Sequence, residues 1–283
     1  MKLTFKHFFN FSFILELFLY ALNLFLAISI ALNLSVKMKL LPETMPQIMP
    51  SKFYAWEFVI AFAFATLILW LILKYFKRSI LLKVFFYLAI FDGLMIFSQA
   101  YFDWPYYLIV FIAVFSVWLI YNNVLMHNLV LVLAISSISV IFGINFSPNS
   151  AMIILLILAV YDFWAVYKTK QMVKMFQGLA EVKVHFALII PQTVSGLFKR
   201  VKEVSPATEF MFLGTGDIAM PAIFTVTCLK ISLLTSFFVA LGAILGFISL
   251  YIIFISQKER KPMPGLPPII FGALLGYLIS FLF

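Results

Sequence analysis

The chain has 283 residues, 65% of them hydrophobic and 11% charged, with a mean hydropathy of +1.12. A soluble domain is typically about half apolar and a quarter charged, so this is the composition of a polytopic membrane protein. The net charge of +9 does not point to nucleic acid: no basic stripe alternates with aromatics, and Lys and Arg sit between apolar runs, where they act as an orientation signal.

Nine apolar runs approach the roughly 17–25 residues needed to cross a bilayer. In chain order they lie near Phe8–Leu32, Trp56–Leu73, Ile80–Gln99, Tyr106–Tyr121, Asn128–Ile144, Ser150–Tyr167, Thr208–Val226, Leu229–Ile255 and Pro267–Phe283. The 35 phenylalanines suit a lipid-facing surface. The first run follows Met1 and Lys2 as a signal peptide would. It is too long for one and carries Asn10, Glu16 and Asn23, so a retained span is expected. Cys228 is the only cysteine, which excludes an internal disulfide and a cysteine metal cluster; it reads as a small buried hydrophobe. No metal and no cofactor is expected.

One connection differs from the rest. Residues 168–207 are mixed and mostly polar, dividing a six-span N-terminal region (residues 1–167) from a three-span C-terminal region (residues 208–283). The stretch KTKQMVKMFQGLAE reads as an amphipathic helix. VKVHFALIIPQTVSG opens with alternation and then runs apolar, which suggests a short strand or an interfacial segment. With nine spans, 16 of the 20 Lys and Arg fall on the side of the N-terminus, leaving Lys37, Lys39, Lys52 and Lys230 opposite. The positive-inside rule then makes the N-terminus and the 168–207 loop cytoplasmic and places the C-terminus outside.

Four acids lie within or near the spans. At a helical rise of about 1.5 Å per residue, Asp162 is about 9 Å from the cytoplasmic end of span six and Asp217 about 13 Å from the start of span seven. Glu16 lies about 12 Å in and Asp92 about 18 Å, by the same rise. Depth therefore pairs Asp162 with Asp217 without excluding Glu16. Two carboxyls close together where water is scarce hold one proton between them. One can then take a proton from water while the other donates to a carbonyl oxygen. Acids at such depth also serve as proton relays in transporters, so the charges alone leave both readings open.

Three short motifs add to this: Tyr161-Asp162, the GTGD of Gly214–Asp217, and the PGLP of Pro264–Pro267. In this order on a nine-span layout they resemble the GxGD intramembrane aspartyl proteases, the presenilin and signal peptide peptidase family. GTGDIAMPAIF is similar to signal peptide peptidases and their archaeal homologues. The resemblance implies an all-α, presenilin-like polytopic fold of about nine transmembrane helices, with Asp162 and Asp217 as the catalytic pair. It implies supporting roles for Tyr161, Gly214, Gly216, Pro264, Gly265, Leu266 and Pro267. Gly265 stands where the family usually has alanine. The charge count gives the presenilin-like orientation rather than that of signal peptide peptidases, as an archaeal presenilin-type homologue would have.

Physical reasons accompany these roles. Gly214 and Gly216 leave room for a helix or a substrate backbone beside Asp217. The prolines predict irregular backbone at PGLP. The stretch His185–Ile190 faintly resembles a presenilin loop segment and is expected either to offer a strand edge to substrate or to anchor at the interface. His127 and His185 read as interface residues without a catalytic role. The leading expectation is an aspartic endopeptidase that cuts transmembrane segments or signal peptides inside the bilayer. Its partners are then lipid and transmembrane substrates, with no nucleic acid and with a homo-oligomer allowed. The rivals are a prepilin or preflagellin peptidase, which would lack the proline motif, and an ion-coupled transporter relaying protons through Asp92, Asp162 and Asp217.

Overall fold

Where a polar residue that accepts a backbone N–H precedes an apolar run, a helix starts. Asn123 caps Met126, Ser147 caps Ser150 and Ser232 caps Thr235, at 2.9, 3.1 and 2.9 Å, each satisfying an otherwise orphaned donor. The computed structural model describes residues 10–40, 55–75, 80–169, 186–204, 210–257 and 263–283. Among these it has nine α-helices: α1 (Phe11–Leu40), α2 (Ala55–Tyr75), α3 (Ile80–Tyr101), α4 (Tyr106–Ile120), α5 (Val124–Asn145), α6 (Pro148–Trp164), α7 (Thr215–Cys228), α8 (Leu233–Ser256) and α9 (Leu266–Ile279). Five described helices are long and apolar enough to cross a bilayer, and the exterior of the bundle is dense in exposed Phe, Leu and Ile. The nine-span layout and the membrane class are those the sequence indicates. The stretch expected to form an amphipathic helix lies almost wholly outside the described residues.

Span seven departs from expectation. Its first residues are not helical: Phe210–Gly214 form a strand, β2, antiparallel to β1 (Ala187–Pro191), in the register Leu188 to Leu213 and Ile190 to Met211. The run FMFLG is apolar without a break, and an unbroken apolar run does not tell a buried strand from a helix. Asp217 therefore lies in the first turn of α7, so a helical rise counted from Thr208 does not measure its depth. The other strand, β1, lies in the apolar run that follows the alternating residues, within the stretch expected to form a short strand or an interfacial segment.

The outer edge of β1 is occupied. Asn128 of α5 donates to the Ile189 carbonyl at 2.7 Å and accepts the Ile189 N–H at 2.9 Å. Ser12 of α1 donates to the Pro191 carbonyl at 3.0 Å, and His127 Nε2 lies 3.2 Å from the Ala187 carbonyl. Three side chains thus do for this edge what a neighbouring strand would do. The edge expected from His185–Ile190 is not open along 187–191, and His185 itself lies outside the described residues. His127, expected at an interface, is buried and packs on Phe86.

Helix α7 is buried along Pro221–Cys228, with Cys228 free and fully buried as its apolar setting implies. It packs against α1, α5, α6, α8 and α9. Helices α8 and α9 meet through a pair of Gly-x-x-x-Gly rows that the span count does not single out. A β-carbon on Gly242 would lie 2.1 Å from the Gly272 carbonyl oxygen, and one on Gly276 would lie 2.1 Å from that of Phe238. Only glycine permits backbones this close, and this contact fixes where α9 begins. Leucine at Gly242 or Gly272 is expected to lower stability by about 1–3 kcal/mol or more, as overpacking does, with loss of activity; thermal unfolding in detergent checks this.

Candidate active site

Asp162 stands near the end of α6, 3% exposed, and its Oδ2 accepts the Leu266 N–H at 3.1 Å. The Gly265 N–H also bonds it. Asp217 stands half-buried in the first turn of α7 and presses on the same dipeptide from the other side. A β-carbon on Gly265 would lie 2.8 Å from its Oδ2 and 2.9 Å from its Cγ. The two carboxyls come from helices separated by the long loop. They converge on Gly265–Leu266.

The PGLP segment makes this convergence possible. Its irregular backbone is confined to Met263–Gly265 among the described residues, and α9 starts at Leu266 with Pro267 and Pro268 in its first turn. A helix start leaves several N–H groups without internal partners. Two are removed here because proline has none, and the Leu266 N–H is taken by Asp162. Pro264, Gly265 and Leu266 are buried. The first-turn prolines are thus a regular helix start, and the irregularity that the cluster predicts belongs to Pro264 and Gly265.

The remaining expected residues divide. Gly214 precedes α7 in extended conformation, and a β-carbon on it would sit 3.3 Å from Asp217 Oδ2. A β-carbon on Gly216 would meet no described atom within 4 Å, so among the described residues no helix packs against it. Tyr161 is more than a third exposed, unlike Asp162 next to it. Asp92 lies exposed on α3, outside this convergence.

Residues 11–283 match the family model described as signal-peptide peptidase, presenilin aspartyl protease. The chain belongs to that family. The fold of this presenilin-family chain is similar to a structure of a presenilin family intramembrane aspartate protease in space group C222. The TM-score is 0.63 at 20% identity, covering 94% of this chain and 97% of that one. A structure of such a protease in space group P2 gives a TM-score of 0.61 at 24% identity, covering 93% and 96%. No curated protein sequence matches the chain significantly. Membership in this family makes the protein an integral, multi-pass aspartic endopeptidase of the bilayer. It removes support from the prepilin-peptidase and transporter readings.

The fit of Gly265 against Asp217 yields a graded test. Alanine at 265 must push the carboxyl by a few tenths of an ångström, and valine by more. A displacement near 1 Å costs on the order of 10²-fold in rate, so Gly265→Val should lose about that much cleavage and Gly265→Ala clearly less. Steady-state cleavage of one reporter peptide by the three proteins reads the order directly.

Proposed function

We propose that this presenilin-family protease hydrolyses peptide bonds inside transmembrane segments or signal peptides, with Asp162 and Asp217 as its catalytic dyad. The observation that carries the reading is their convergence on Gly265–Leu266. One carboxylate takes a proton from water as the water oxygen bonds to the scissile carbonyl carbon, and the partner acid gives its proton to the carbonyl oxygen. The gem-diol then collapses: one of its hydroxyls gives its proton to the ionised carboxylate as the C–N bond breaks, and the amine leaves with the proton held by the other carboxyl, so one proton again remains between the two. The Leu266 N–H, donating to Asp162 Oδ2, fixes the orientation of that carboxyl for this exchange.

Scission needs an unwound peptide, and a strand edge can hold one. Since Ala187, Ile189 and Pro191 direct their polar groups to α1 and α5, alternation directs those of Gly214 away from β1. We place the extended substrate on that side of β2, leading to Asp217 three residues beyond Gly214. The N-terminal region then contributes Asp162 and the C-terminal region contributes Asp217 and PGLP, with the 168–207 loop carrying β1. One chain supplies every residue of this site, so a homo-oligomer adds none to it.

Replacing Asp162 or Asp217 by asparagine keeps size and removes the acid. Each variant should purify folded and lose about 10²–10⁴-fold in cleavage, scored by mass analysis of fragments from a single-span peptide. Wild-type turnover in Asp217→Asn would end the dyad reading.

The charge asymmetry places residues 168–207 in the cytoplasm. In a Cys228→Ser background, Ser195→Cys should react with an impermeant maleimide only after cells are opened. Labelling of intact cells would reverse the orientation.

A further inference from the structure

Glu16 is a third acid at this site that the dyad does not account for. It lies on α1, 7% exposed, and its Oε2 is buried without a hydrogen-bond partner. One turn on, Tyr20 is fully buried, its hydroxyl likewise without a partner and its ring stacked on Phe247 of α8 at 4.6 Å between centroids. Asn23, a further turn along, donates to the carbonyl of Ile218, the residue after Asp217, at 3.3 Å. Positions 16, 20 and 23 share one helical face, so this face of α1 is pinned to the first turn of α7. Asp217, the residue before Ile218, stands in that same first turn of α7, against which this face of α1 packs.

A buried polar atom without a partner is uncommon and asks for a reason. Packing alone would be served better by an apolar residue, because replacing buried polar groups by apolar ones of the same shape is often neutral or stabilising. A second ionised carboxylate beside Asp217 would be repelled, whereas a neutral acid has a proton to donate. We propose that Glu16 is a positioning residue for the proteolytic reaction. When the dyad engages a peptide, Glu16 as a neutral acid and the Tyr20 hydroxyl, both unpartnered here, donate to the Asp217 carboxyl and hold it turned to Asp162. The inference rests on the dyad reading of Asp162 and Asp217.

The test compares Glu16→Leu, Glu16→Gln and Tyr20→Phe in the full-length protein, with Asp217→Asn as control. Leucine fits the apolar surroundings, so Glu16→Leu should unfold at the same temperature as the unsubstituted protein or higher. Its kcat should fall about tenfold with KM within twofold, the pattern of an interaction made in the transition state. Glutamine keeps a donor and should restore kcat to within about threefold; Tyr20→Phe keeps the stack and should lose about threefold. If Glu16→Leu turns over within twofold of the unsubstituted protein while Asp217→Asn is inactive, Glu16 has no such role and the dyad stands. If Glu16→Gln is as impaired as Glu16→Leu, donation by Glu16 is overturned. An active Asp217→Asn overturns the dyad itself.

Discussion

The bond from the Leu266 N–H to Asp162 is the contact on which the rest of the site depends. In a membrane, an unpaired carboxylate and an unpaired backbone N–H are each expensive, and here each satisfies the other. The bond joins the end of α6 to the start of α9 across 104 residues of sequence. With Asp162 so held, the dipeptide that binds it also presents the bare Cα of Gly265 to Asp217. The convergence of the carboxyls thus follows from one backbone segment being shared by both, and from the residue at 265 having no side chain.

Two further constraints hold that segment in place. The Gly-x-x-x-Gly contact between α8 and α9 fixes the height of α9, so the position of Leu266 is set by packing that contains no acid. On the other side, Asn128, Ser12 and His127 tie β1 to α5 and α1, and β1 in turn holds β2, which runs directly into α7. Asp217 is therefore positioned from its N-terminal side by a strand and from below by a buried helix. Polar side chains fix the strand and glycine backbones fix the proline motif.

The spans and the two aspartates were legible because they depend on signals local in sequence: apolar length, capping residues, and an acid where an acid is costly. The glycine rows at 242–246 and 272–276 were equally legible and only needed to be read as a pair. Other features were not. Nothing near Asn128 marks it as the partner of Ile189, 61 residues away, and nothing near Ser12 marks Pro191. The strand at 210–214 was hidden because a strand buried on both faces loses the alternation that identifies it. Glu16 was visible as an acid at matching depth, but its relation to Asp217 depends on how α1 packs on α7, which sequence spacing does not contain.

The strand at the start of span seven also changes how Asp217 is presented. A helix advances about 1.5 Å per residue and a strand about 3.3 Å. A strand leading into α7 thus carries the chain farther per residue than a helix would, and α7 needs only 14 residues. A helix in the place of β2 would have closed its backbone groups into its own ladder. As a strand, it leaves alternate groups pointing away from β1, immediately before the acid. The region expected to be one span, Thr208–Val226, is then two elements joined at Gly214. The first has the geometry to align a peptide, and the second carries the carboxyl beside it. Gly216, where an added β-carbon would meet no described atom within 4 Å, lies just beyond that join, so the described residues leave that side of the turn uncovered.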